Sequence, residues 1–162
     1  MLLMPPASLP IEPTCAICEL HQNSPQLKPM EIWRGEHWLL RHHPHPSPLI
    51  GWCLLDARRH CGSPADFNVA EAADWGCAVQ RASLLVQQVS GCDRVYAIAF
   101  GEGARHLHLH LIPRFSGISA TEAWAVADLY RDVQSKRRSA AVDSEVEAWI
   151  QAARQLSSRL MC

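Results

Sequence analysis

The sequence predicts an α+β fold: an antiparallel sheet of about five strands, one long helix on one side, and further helices at the C-terminus. Three observations carry that expectation. Within a strand read over Arg105 to Ile112, residues 106–111 alternate polar and apolar side chains without a break, the period of a half-buried strand. From about Val69 to Val89, the residues Val69, Ala72, Ala73, Gly76, Val79, Ala82, Leu85, Val86 and Val89 recur at helical spacing. Four more short β-leaning segments are separated by glycine, proline and polar residues.

Taken in order, residues 1–14 carry four prolines and no periodicity, which predicts an extended arm. Cys15-Ala-Ile-Cys18 follows, then a polar stretch to Pro29. Ile32-Trp33 and Trp38-Leu39-Leu40 flank Arg34-Gly35-Glu36-His37, a hairpin with Gly35 in the turn. Residues 42–48, His-His-Pro-His-Pro-Ser-Pro, lack three backbone donors and form a loop. Gly51 to Leu55 is a short strand ending in Asp56-Ala-Arg-Arg-His60.

Ser63-Pro64-Ala-Asp66 reads as the entry to the long helix, and Gly91 as its stop. Arg94 to Phe100 is a strand, Gly101-Glu102-Gly103 a tight turn, and Arg105 to Ile112 the clearest strand, ended by Pro113. Thr121 to about Lys136 and Ser144 to Leu160 are rich in helix formers, the second with Asp143 or Ser144 as N-cap. The expected division is an arm over 1–14, a main domain over 15–116, and a helical extension over 117–162 packed on the same domain.

The chain has 162 residues, 48% hydrophobic and 19% charged, with a formal net charge of −1. That balance offers no basic field for a nucleic-acid polymer, so a small ligand held by local groups is expected. No apolar run reaches the roughly 18 residues of a membrane span. The opening Met-Leu-Leu-Met-Pro-Pro is too short for a signal sequence, and a cytoplasmic protein is expected. Seven cysteines, an odd number, argue against a disulfide framework. Cys53 and Cys77 lie in apolar segments and are expected to be small buried hydrophobes.

In the strand over 105–112, His106, His108 and His110 share one face. Leu107, Leu109 and Leu111 share the other and point to the core. Alternate residues on a face lie about 6.6 Å apart, and residues four apart about 13 Å. His106 and His108, or His108 and His110, could share a metal; three histidines at this spacing do not easily reach one ion with bonds of about 2.0 Å. At least one of them has another job. Neutral imidazole is abundant near pH 7 and forms a reactive phosphoramidate, so it suits attack on phosphorus. A flanking histidine can donate to a phosphoryl oxygen or a leaving group.

Gly101-Glu-Gly-Ala-Arg-His106-Leu-His108-Leu-His110-Leu-Ile-Pro113-Arg114 resembles the signature strand of the histidine-triad superfamily. The likeness extends over roughly Cys15 to Phe115. It implies that fold, and it implies a nucleotide hydrolase or nucleotidyl transferase working at the α-phosphate of a dinucleoside polyphosphate or nucleoside phosphoramidate. By the same resemblance His108 is the nucleophile, His110 contacts the phosphate or leaving group, and His42 or His43 is a further active-site histidine. A homodimer is also implied.

The cysteine pair alone fits a metal site, a redox pair or two ordinary thiols. In the galactose-1-phosphate uridylyltransferase branch of the superfamily, such a pair binds zinc with two histidines. The resemblance carries that ligand set to Cys15, Cys18, His60 and His106, with Cys61 as a competing neighbour. His106 would then hold zinc while His108 does the chemistry.

The approach to the strand departs from the superfamily. Glu102-Gly103-Ala104-Arg105 stands where many members have Gly-Gln-Ser or Gly-Gln-Thr. Glu102 can act as an acid, bind a basic leaving group, or face away paired with Arg105. Arg105 can supply charge to a phosphate, although a regular strand points it away from His106. Trp33, Trp38 and Trp52 are candidates for stacking a purine or for the core. Two other readings stay open: a nucleotide-binding module with little turnover, and a zinc-binding scaffold.

Overall fold

The structure, a computed structural model, describes residues 14–159. The arm expected over 1–14 therefore lies outside the described residues except for Thr14, as does Cys162.

Five antiparallel strands form one sheet in the order β1-β2-β3-β5-β4. They are β1 (Glu31–Arg34), β2 (Trp38–His42), β3 (Cys53–Ala57), β4 (Arg94–Ala99) and β5 (His108–Arg114). The hairpin turn closes through the Gly35 N–H donating to the Trp38 carbonyl at 2.8 Å. Ile32, Trp38, Leu40, Cys53, Leu55, Leu109 and Leu111 point to one face of the sheet. There they meet Ala78, Ala82, Leu85 and Val86 of the long helix α3 (Val69–Ser90). Two short helices, α1 (Ala16–Gln22) and α2 (Ser24–Leu27), precede the sheet.

The long helix forms as its periodicity predicts, with the expected stop at Gly91 but a different entry. Its N-cap is Asn68, whose side chain accepts from the Glu71 N–H while Glu71 closes a capping box. Ser63 instead caps a separate 3₁₀ turn over Pro64–Asp66. Gly91 ends α3 in the left-handed region at φ 61°, the conformation expected of a helix-stopping glycine.

Several sequence expectations are corrected. β5 does not start at Arg105 or stop before Pro113; it runs from His108 through Pro113 to Arg114. Pro113 lies beyond the last β3 pair, Cys53 with Leu111, so only the β4 side has a neighbour there, an edge position that tolerates proline. β2 continues to His42, which the proline-rich reading assigned to the loop. The C-terminal helices are α4 (Ala125–Gln134) and α5 (Asp143–Ser157), with Val142 rather than Asp143 or Ser144 at the N-cap of α5. Cys53 is buried in the core, but Cys77 is exposed on the outer side of α3.

The C-terminal helices complete both faces. Trp149, Ile150 and Ala153 of α5 join the main core. On the opposite face, Val126 of α4 packs with Trp52 and Ile112, flanked by Tyr96 and Tyr130.

His42 closes the loop between β2 and β3. Its Nε2 accepts from the Gly51 N–H at 2.9 Å, and its Nδ1–H donates to the His43 carbonyl at 2.9 Å. Gly51 holds φ +81°, and a Cβ there would meet Ser90 Oγ at 2.5 Å, so glycine is required. Burial pushes the His42 imidazole down to about 4. Its folded value therefore lies below that of an unfolded chain, about 6.5. The stability this supplies is complete above about pH 6.5 and is lost as the pH falls towards 4, because the unfolded chain takes the proton first. Urea unfolding at pH 7 and pH 4.5 is expected to show His42→Gln losing less stability across that interval than the parent, by on the order of 2 kcal/mol. Equal losses would exclude His42 as an acid-sensitive clasp.

Candidate active site and metal centre

β5 lies between β3 and β4 and carries His108 and His110, with His106 two residues before its start. His106 sits just before the strand and is almost fully buried. Its Nε2–H donates to the Ala57 carbonyl at 2.7 Å, which leaves the Nδ1 lone pair facing the thiols. Burial pushes this imidazole down to about 4.

Cys15 is the N-cap residue of α1 and Cys18 lies in its first turn. Cys15 Sγ and Cys18 Sγ each lie 3.4 Å from His106 Nδ1, and Cys18 Sγ lies 3.3 Å from His60 Nδ1. The ligand atoms of these four residues all fall within 4.8 Å of one another. Tetrahedral ligands with bonds of about 2.0–2.3 Å stand about 3.3–3.8 Å apart, so this two-sulfur, two-nitrogen set fits a small ion such as zinc. Cys61 is buried in the main core, outside this group.

Behind the cluster lies a buried charged network. Asp56 is wholly inaccessible; it accepts from Arg41 Nε at 2.6 Å and Arg41 Nη2 at 3.3 Å, and pairs with His21 Nε2 at 3.0 Å. Burial opposes the carboxylate, but Arg41 and His21 outweigh it and hold Asp56 below its ordinary range. His21 belongs to α1 and packs edge-on to His106, with ring centres 5.5 Å apart. The helix that carries both cysteines thus also anchors the network.

His108 begins β5 and is half-buried. Its Nδ1–H donates to the His106 carbonyl at 2.6 Å, so Nε2 keeps its lone pair. The His110 ring lies 5.2 Å from it, and Phe100 packs edge-on to His110 at 5.4 Å. Trp52 Nε1 donates to His110 Nδ1 at 3.0 Å. Burial, with the nearby His108, His43 and Arg41, pushes His110 down to about 3. His43 donates through Nδ1 to the Pro44 carbonyl at 2.8 Å and stands between Trp52 and Tyr130, 5.9 and 5.6 Å away. Burial pushes His43 down to about 4.

Solved structures share this architecture. A zinc-bound histidine-triad family protein from Mycobacterium smegmatis aligns at TM-score 0.65 and 17% identity, covering 91% of this chain and 95% of that one. A Hit-like protein involved in cell-cycle regulation from Bartonella henselae aligns at TM-score 0.63 and 17% identity, over 89% and 97% of the two chains. A hypothetical histidine-triad nucleotide-binding protein from Sulfolobus tokodaii gives TM-score 0.59 and 17% identity, over 81% and 85%. The chain has the histidine-triad fold. No protein-family model matches the chain, and no curated protein matches it.

On this histidine-triad scaffold, His43, His108 and His110 come together on one face of the sheet, and Cys15, Cys18, His60 and His106 gather beside it. His42 does not join them. Adjacent residues of a strand point to opposite faces, and His42 lies on the core side, edge-on to Trp149 at 5.5 Å. Glu102 and Arg105 are exposed in the loop before β5, and no ion pair joins them among the described residues. Trp38 and Trp52 are buried and have no open face for a purine; Trp33 is half-buried under Arg81, whose Cζ lies 4.6 Å from the ring centre.

Sequence reading missed Asp56, Arg41 and His21 as one network, and Tyr130 as a wall of the histidine face. The network joins residues 15 and 35 positions apart, so no local motif announces it. Tyr130 comes from a helix outside the recognised resemblance.

Proposed function

We propose that the chain binds a nucleoside phosphate on the face bearing His43, His108 and His110, and cleaves or transfers it at the α-phosphate. One observation carries the proposal: the hydrogen bond from His108 Nδ1 to the His106 carbonyl, which leaves Nε2 as a free nucleophile. His108 Nε2 attacks phosphorus, and the bond to the leaving group breaks with its electron pair. The leaving group is then protonated. Water next attacks the phosphorus, the P–N bond breaks, and a nucleoside monophosphate leaves with neutral His108 restored. His110 contacts the phosphoryl oxygens, and His43 contributes to the site from the position just after β2. Glu102 and Arg105 are kept as ligand contacts from the exposed loop leading into β5.

The test is a panel of diadenosine polyphosphates and adenosine phosphoramidates, with the protein trapped under alkali, where a phosphoramidate survives. A nucleotidyl group mapped to His108 is the expected result. Tight AMP binding with neither adduct nor product would favour a nucleotide-binding module, a reading supported by the Glu102-Gly103-Ala104 departure before the strand.

Cys15, Cys18, His60 and His106 are proposed to hold zinc as a structural ion. Bound there, zinc would clamp α1 to the segment preceding β5 and take no part in phosphoryl chemistry. Elemental analysis of protein purified without chelator is expected to give about one zinc per chain, falling sharply in Cys15→Ser. A parent value below about 0.1 would reject the site.

A thiolate metal site suits the reducing cytoplasm, where we place the protein. No helix among the described residues is long and apolar enough to cross a membrane. A homodimer is proposed from the open outer edge of β4, which is paired only with β5 among the described residues.

A further inference from the structure

We propose that Trp52 is a positioning residue that fixes His110 as an uncharged hydrogen-bond donor through Nε2. This deepens the reading of His108 as nucleophile and rests on it. The observation is the bond from Trp52 Nε1 to His110 Nδ1 at 3.0 Å. An indole N–H only donates, so His110 Nδ1 must accept with its lone pair. A neutral imidazole carries one proton, which is then confined to Nε2.

Each neighbour reinforces this state. Trp52 cannot turn away, because it is packed between Ile112 and Val126 and is only 2% exposed. Protonating His110 a second time would put N–H against N–H at Nδ1. It would also place a cation among Arg41 of β2, His43 just after it and His108 of β5, with Asp56 of β3 opposing them. His110 therefore offers a phosphoryl oxygen a donor without a charge.

The result is a division of labour along β5. His108 donates at Nδ1 to a backbone carbonyl and presents a lone pair at Nε2. His110 accepts at Nδ1 from a side chain and presents a proton at Nε2. The two imidazoles lie 5.2 Å apart in opposite tautomers. A lone pair beside a donor suits a phosphorus electrophile and one of its non-bridging oxygens. Two identical tautomers would supply either two nucleophiles or two donors.

Nitrogen NMR of the full-length ¹⁵N-labelled chain at neutral pH tests the assignment without any turnover. His110 is expected to show an unprotonated Nδ1 and a protonated Nε2, and His108 the reverse. Trp52→Phe keeps an aromatic ring and removes the donor. It is expected to move the His110 signals towards a tautomer mixture and to lower kcat about tenfold, with KM changing less than about threefold.

If Trp52→Phe fails to fold, the parent spectrum alone decides. A protonated Nδ1 on His110 in the parent overturns the proposal. So does a Trp52→Phe variant with unchanged signals and unchanged kcat. The two readings fail differently: the expected tautomer with no His108 adduct on any substrate supports the role of Trp52 and sinks the nucleophile, whereas an adduct with the wrong tautomer does the opposite.

Discussion

Alanine at position 108 is expected to abolish adduct formation and lower turnover by roughly 10³- to 10⁶-fold, the range for losing a covalent nucleophile. Stability should change little. The His108 side chain is half-buried, and its one hydrogen bond goes to the His106 carbonyl. The zinc content proposed for the cysteine cluster should also be unchanged, because His108 is not one of its four residues. Single-turnover assays with alkaline trapping, run beside urea unfolding, separate these effects. A His108→Ala protein within tenfold of the parent would end the proposal that this residue attacks phosphorus. Truncating His42 makes the informative contrast: it should weaken the fold, since that ring clasps the loop on the other face of the sheet.

Asp56→Ala is expected to cost about 3–5 kcal/mol, the penalty for leaving one member of a buried ion pair without its partner. Asp56 is inaccessible and Arg41 is 3% exposed, so water cannot replace the lost carboxylate. For a chain of this size the loss corresponds to a fall in Tm of about 6–20 °C. Calorimetry or a thermal melt reads it directly. Replacing Arg41 by leucine in the same protein should recover part of the loss, because the stranded cation goes with it. A Tm within about 2 °C of the parent would mean that Arg41 finds another counter-charge.

The parts of the fold that could be read ahead of the structure are those with a long, regular period. Leu107, Leu109 and Leu111 face the core and His108 and His110 the opposite side because strand parity leaves no choice. The long helix was legible for the same reason. Parity failed at His42 and His43, where one further strand residue decides which ring shares the face of His108 and His110; the prolines that follow hid that extension. The seven-residue α1 is too short for periodicity to show. The partnership of Trp52 with His110 depends on the register of β3 against β5, in which Leu54, not Trp52, stands opposite His110. Tyr130 depends on how the C-terminal extension folds back, which the recognised strand says nothing about.

The four residues of the cysteine–histidine cluster lie at positions 15, 18, 60 and 106. A ribosome delivers the chain from its N-terminus, so three donors emerge well before the fourth. At about 5–20 residues per second, the interval between His60 and His106 is roughly 2–9 s. If the proposed zinc binds during synthesis, it would be held by only three of these side chains until the segment that also carries His108 emerges. A nascent chain truncated before His106 would therefore keep an exchangeable ion. The residue that completes the proposed zinc site and the proposed nucleophile thus arrive in the same stretch of translation, two positions apart.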